Sequence, residues 1–228
     1  DATAPATVLV GTPPADEGIS MVGSVAQQHG RAALAVVQGT RLVTVVSGDM
    51  HDATAAAFVA DLLEAFSDGP VVIGPTAGTL SAAHASAVEA LAGMEAVAGW
   101  RGAPRPVHAS ELLPERALLG DRAAVGALNG QVVRPLVAAG SALSDTLDAY
   151  LDCGGAVETC ARQLFVHPNT VRYRLKRIAE ITGRDPLDPR DAYVLRVAAT
   201  VGRLTQNRNE LHQPTPPETS ATYGSVGS

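Results

Sequence analysis

The sequence predicts an α+β protein, with a mixed sheet-and-helix domain in the first half and an all-helical domain after it. Three observations predict this. Short β-rich runs alternate with helical periods over roughly the first 115 residues. Strand signals stop at Asp121. Residues 156–178, AVETCARQLFVHPNTVRYRLKRI, read as two short helices joined by a tight turn.

Residues 7–10 (TVLV) form a short β-rich run, and residues 18–29 place Ile19, Val22, Val25 and Ala26 at helical spacing. The apolar runs 31–37 and 41–46 flank the small turn Gln38-Gly39-Thr40, a hairpin signal. Ala57, Leu62, Leu63 and Phe66 share one side of a helix over 53–66, which Asp68-Gly69-Pro70 stops. A buried strand over 71–73 ends at Gly74-Pro75, and 80–97 is an Ala-rich helix. After the loop 99–106 come an edge strand near Val107 and a helix from Ser110. Residues 121–134 read as helix, punctuated by Pro135 and Gly140. Ser144-Asp145 is the expected cap of a helix carrying Leu147, Tyr150 and Leu151, which Gly154-Gly155 ends. Gly183 stops the basic helix, and 191–204 form a last amphipathic helix with Val194, Leu195, Val197, Ala198 and Val201. The boundaries are therefore 1–120 for the sheet domain, 121–140 for a linker helix, 141–204 for the helical domain and 205–228 for a Pro/Ser/Thr-rich disordered tail.

The composition is that of a soluble globular chain, 46% hydrophobic, 18% charged and only 4% aromatic, so the cores are built from Ala, Val and Leu. No apolar run approaches the ~18 residues of a membrane span. The start at Asp1, without Met, reads as a piece of a longer protein. Cys153 and Cys160 make no disulfide framework and fit a reducing cytoplasm.

Charge is distributed unevenly. Residues 162–184 carry a net +5, whereas the whole chain is −6 and the remainder −11. A basic helix on an acidic protein is the electrostatic footprint of a DNA-binding module. Ala161 is small enough for two helices to cross closely, and Leu164, Val166, Val171, Leu175 and Ile178 supply the stripe that packs them. His167 is the expected N-cap and Pro168 the first helical residue, where a missing N–H costs nothing. With Val171, Leu175 and Ile178 facing inward, Asn169, Arg172, Tyr173, Lys176 and Arg177 point outward. Arg172 suits guanine readout, because its fork matches two acceptors in the major groove. Thr170, Tyr173 and Lys176 suit phosphates, while Arg174 and Arg177 add charge. Phe165 stands at the turn position that commonly holds Gly.

The run His167, Asn169, Thr170, Tyr173, Arg174 and Leu175 resembles the hallmark of the C-terminal domain of PucR/CdaR-type bacterial transcription regulators, over about residues 143–204. Its helix-turn-helix is similar to that of the Fis nucleoid protein. The family often has Gly-Asn before the motif's first helix, where this chain has Gly154-Gly155. The upstream half resembles a degenerate GGDEF-like domain. Active cyclases of that fold carry Gly-Gly and paired acids in the hairpin turn; the matching turn here, Gln38-Gly39-Thr40-Arg41, has no carboxylate to hold two metals. The resemblance thus implies a structural or sensing role for this domain and a transcription regulator without enzymatic activity or cofactor. It also implies a small-molecule effector, and the Arg- and Ala-rich sequence is similar to actinobacterial regulators of fatty-acid synthase genes. Paired half-sites on double-stranded DNA call for a homodimer. The rival readings are a GGDEF-fold cyclase and a protein-interaction module with a basic helix.

Other constellations have plainer accounts. Asp49, His51 and Asp52 are metal-ligand types in four residues, but they fit a loop in which Asp52 caps the next helix. Cys153 and Cys160 are too far apart for a short zinc pair. Residues 74–79 precede a helix but lack the Lys of a phosphate loop. No metal site is expected. His84, His108, Trp100 and Arg101 suggest no mechanism.

Overall fold

The computed structural model describes residues 3–14, 18–50 and 55–211. Its first half runs β1 (Ala6–Gly11), α1 (Gly18–Gln28), β2 (Ala33–Gln38), β3 (Arg41–Ser47), α2 (Ala55–Leu63), β4 (Val72–Ile73), α3 (Ala83–Ala96) and β5 (Val107–His108). The strands form one mixed sheet in the order β2-β3-β1-β4-β5, antiparallel except for the β4–β5 pair. β1 is central and buried along its whole length, Thr7 included. Its odd and even residues serve different faces. Leu9 joins Leu42, Phe58 and Leu62 beneath α1 and α2, whereas Val8 and Val10 join Ala90 and Met94 of α3. The expected hairpin is present, with Gln38 opposite Arg41 across Gly39-Thr40.

The second half is helical: α4 (Leu113–Leu118), α5 (Arg122–Leu128), a π turn (Asn129–Val133), α6 (Arg134–Ala139), α7 (Ser141–Asp152), α8 (Val157–Gln163), α9 (Pro168–Thr182) and α10 (Pro189–Leu211). The segment read as a linker is integral to this domain. Ala124, Leu128, Val132 and Leu136 share one core with Leu147, Leu175 and Leu195. Asp121 caps α5, accepting from the N–H groups of Ala123 and Ala124. Pro135 does not stop the chain. A proline clashes with the carbonyl four residues back, and the π turn just before it widens the helix enough to continue. α10 crosses this turn closely: a Cβ on Gly202 would lie 2.9 Å from Val133 Cγ1.

Several helix limits differ from expectation: α2 ends at Leu63 and not at 66, α4 begins at Leu113 and not at Ser110, and two further differences bear on the helical domain. α7 starts at Ser141, directly after Gly140 (φ +111°), so Ser144 and Asp145 lie inside the helix and do not cap it. α10 continues to Leu211, past the 204 read from the apolar period, while residues 212–228 of the expected tail lie outside the described residues. Among the described residues no helix is long and apolar enough to cross a membrane.

The two halves meet around two arginines of the helical half, Arg116 and Arg190. Arg116, 1% exposed, pairs with Glu89 of α3 (2.9 Å) and with Asp121 (2.8 Å). Arg190 of α10 clasps Glu115 with both terminal nitrogens, at 2.5 and 2.9 Å, and donates to the Glu111 carbonyl. Its guanidinium lies over the Trp100 ring, 3.8 Å from the centroid. Trp100 therefore helps hold α10 against the sheet domain.

Candidate nucleic-acid interface

The candidate interface is built on α9. Val171, Leu175 and Ile178 are fully buried against α7 and α8, which fixes the helix by one face. Cys160 and Ala161 of α8 are buried where the helices cross. The N-terminus is capped as expected: His167 has extended backbone, and its Nδ1 accepts from the Asn169 N–H at 3.2 Å. At the other end Gly183, at φ +68°, donates its N–H to the Ala179 carbonyl at 2.8 Å, the left-handed stop that glycine tolerates best.

The turn between α8 and α9 is tight despite its missing glycine. Phe165 takes φ +55° and is the one non-glycine with positive φ among the described residues. Its N–H donates to the Arg162 carbonyl (3.3 Å), and that of Val166 to the Ala161 carbonyl (3.0 Å). The Phe165 ring is 96% exposed. A bulky residue in this conformation bears backbone strain and gains no packing in exchange.

With its inner face locked, α9 presents Asn169, Arg172, Tyr173, Lys176 and Arg177 to solvent, as the period requires. His167 is exposed at its start and Thr170 half-buried. Arg172 is oriented from both sides, donating to Asn169 Oδ1 (3.1 Å) and Glu158 Oε1 (2.8 Å). Arg177 pairs with Glu180 at 2.9 Å. Among the described residues Lys176 has no acidic partner. Arg174 stands apart from this group. It is half-buried and donates to Thr146 Oγ1 of α7 at 3.0 Å, because its helical position flanks the inner face. Thr146 is itself buried and donates to the Ala142 carbonyl.

Sequence reasoning missed Glu158 and Thr146, which orient two arginines. Glu158 lies on the first helix of the motif, and only the closed turn brings it to Arg172.

Two domain families match the chain: a PucR C-terminal helix-turn-helix domain over residues 143–201 and a GGDEF-like domain over residues 1–96. The crystal structure of a regulator of polyketide synthase expression from Bifidobacterium adolescentis is similar across both domains. It is 33% identical with a TM-score of 0.75, covering 89% of this chain and 81% of that one. The chain belongs to the PucR-type transcription regulators. Uncharacterized proteins of Mycobacterium tuberculosis and Mycobacterium bovis are 64% identical over 215 residues, 90% of this chain. This PucR-type chain spans about half (51%) of the length of those relatives. The purine catabolism regulatory protein of Bacillus subtilis is 39% identical over 62 residues, 27% of this chain and 12% of its own length.

The remaining candidates do not gather into a second site. The hairpin turn of the GGDEF-like domain, Gln38 to Arg41, bears no carboxylate. Of the loop candidates, Asp49 accepts from Thr76 at 3.0 Å, while His51 and Asp52 lie outside the described residues. Residues 74–79 form a turn pinned to β1 by the Ala6–Ala77 bridge, in which the Thr79 hydroxyl accepts from the Ala82 N–H. Cys160 is buried, and burial together with the neighbouring Cys153 pushes its thiol pKa up.

Proposed function

We propose that this chain binds double-stranded DNA sequence-specifically through the outer face of α9 and thereby regulates transcription. One observation carries the reading: Asn169, Arg172, Tyr173, Lys176 and Arg177 project from a helix whose opposite face is buried in the domain core. Early residues of such a helix reach base edges, and flanking ones hold phosphate. Arg172 reads guanine with its planar fork, which Asn169 and Glu158 already hold extended. Releasing Glu158 costs little, because an exposed ion pair is worth about 1 kcal/mol or less. Thr170, Tyr173, Lys176 and Arg177 hold the backbone, with His167 at the helix start. Arg174 acts from behind, tying α9 to α7 through Thr146. The acidic remainder repels phosphate and confines contact to this face.

The protein acts as a cytoplasmic homodimer on paired half-sites, without catalysis. The carboxylate-free hairpin turn supports the last point. A groove of about 1120 Å³ between α5 and α10, walled by Leu118, Val125, Tyr193, Val197, Val201 and Leu204, offers room for a small effector. Regulation of polyketide synthase expression in the Bifidobacterium relative supports metabolic target genes. Fatty-acid synthases share the same chain-extending condensation chemistry, so their genes are the targets we favour. The test is a footprint on genomic DNA upstream of such genes and of the chain's own gene, with and without acyl metabolites. Protected, salt-sensitive paired sites support the reading; uniform, sequence-blind protection contradicts it.

A further inference from the structure

Among the described residues β2 is an edge strand with none of the usual defences. Its six residues, ALAVVQ, include no charge and no proline, and Leu34, Val36 and Val37 are 70%, 56% and 41% exposed. Natural sheets shorten, charge or cover their edges. The opposite edge of this sheet does so: β5 has only two residues, and Val107 is fully buried. α3 covers β1 but leaves Val43 and Val45 of β3 only partly buried. Leu34 pairs across the ladder with Val45, and Val36 with Val43, so these four side chains form an apolar strip on one face. A groove of about 370 Å³ beside Pro5, Leu34, Val45 and Leu80 continues the strip.

The backbone polarity of this edge follows from the register. Ser47 donates its N–H to the Ala32 carbonyl at 2.8 Å, so residues 32, 34, 36 and 38 direct their polar groups toward β3. Ala33, Ala35 and Val37 direct theirs outward, into the space beyond the edge.

We propose that β2 is a self-association edge, on which a second copy of this chain pairs antiparallel about a two-fold axis through Ala35. In that register Ala33 faces Val37 of the second copy, Ala35 faces Ala35, and every outward N–H and C=O of the three residues finds a partner. Leu34 then faces Val36 of the second copy at the non-hydrogen-bonded positions, where opposed strands approach most closely. A shift by one residue would set outward groups against residues that have none to offer. Charge also selects a second copy: a chain of net −6 repels itself except across an uncharged surface, and this strip is uncharged. The contact lies at the small end of stable interfaces, with the strand hydrogen bonds adding to the apolar burial. It does not depend on the DNA reading, although it would supply the paired modules that reading requires.

Sedimentation equilibrium of the 228-residue chain tests the proposal. The wild type sediments at about twice its 23.3 kDa monomer mass. Ala35→Pro removes an outward N–H and leaves the β2–β3 bonds intact, and the Leu34→Lys/Val36→Lys pair sets like charges face to face. Each weakens the dimer about tenfold or more. Leu34→Glu/Val36→Lys, with opposite charges facing across the axis, keeps it. In a Cys153→Ser background, Ala35→Cys oxidises to a covalent dimer, since opposed residues of a hydrogen-bonded pair lie at disulfide range, about 5.5 Å between Cα atoms. A monomeric wild type, or dimers unaffected by both weakening changes, overturns the proposal. A charge-swapped variant as weak as the like-charged one overturns the Ala35 register. The monomeric variants still bind a single half-site through α9, so a failure here is separable from a failure of the DNA reading.

Discussion

The Arg190 guanidinium lies flat over the Trp100 indole, 3.8 Å from its centre, while both terminal nitrogens grip the Glu115 carboxylate. One side chain of the last helix thus reaches the sheet half by stacking on Trp100 while its charge ties it to α4 within the helical half. Its partner Glu115 is only 5% exposed. Removing the arginine leaves that carboxylate buried and unpaired, which costs about 3 kcal/mol or more. Arg190→Ala is therefore expected to lower the denaturant midpoint markedly, and Trp100→Ala to lower it less. Arg190→Lys restores only part of the loss, because an ammonium lacks the planar fork. Equilibrium unfolding of the three variants checks the order.

Phe165 gives the opposite expectation. Its ring is almost fully exposed, yet its backbone sits at φ +55°. Glycine relieves the left-handed strain, at some entropic cost in the unfolded chain. Phe165→Gly is expected to stabilise the helical domain by about 0.5–1 kcal/mol, read as a raised Tm. A loss of stability would mean that the exposed ring packs on something after all.

Acid should loosen the contact between α4 and α5. Burial alone would raise the Asp121 carboxyl, but hydrogen bonds from Arg116, Ala124 and Ala123 and the Arg116 charge outweigh it, so its pKa is held below the ordinary value. A depressed carboxylate contributes stability that is full above the unfolded pKa of about 3.9 and is lost as pH falls through the folded value. Asp121→Asn is expected to be less stable than the wild type at neutral pH and to converge with it in acid. Parallel stability curves down through that acid range would contradict this.

Thiol labelling should separate the two cysteines. Cys160 is fully buried with a raised pKa, so little thiolate forms. Cys153 is partly exposed and donates to Gln163 Oε1. Under native conditions a maleimide is expected to modify Cys153 first, with Cys160 reacting only on unfolding; mass spectrometry of timed digests reads the order.

Much of the candidate interface's geometry was legible in the sequence because local chemistry determines it. His167-Pro168 and Gly183 mark the ends of α9 through capping alone, and Val171, Leu175 and Ile178 orient it by period. The Gln38 to Arg41 hairpin followed from turn chemistry in the same way. What escaped was set by tertiary packing. Arg174 flanks the buried face, and only the presence of Thr146 on α7 decides that it turns inward. Pro135 signals a stop, but the π turn before it and the crossing at Gly202 carry the helix onward. Trp100 and Arg190 are far apart along the chain, and no local pattern links them.

The most direct test of the central claim is the salt dependence of affinity for one footprinted site, compared among wild type, Arg172→Ala and Lys176→Ala. Arg172→Ala is expected to lose about 1–3 kcal/mol of specific binding and to relax one base position. Lys176→Ala is expected to weaken all sequences alike and to lower the slope of log affinity against log salt by about one. Two variants that bind as tightly and selectively as the wild type, with unchanged slopes, would contradict the assignment of the outer face of α9 to the groove.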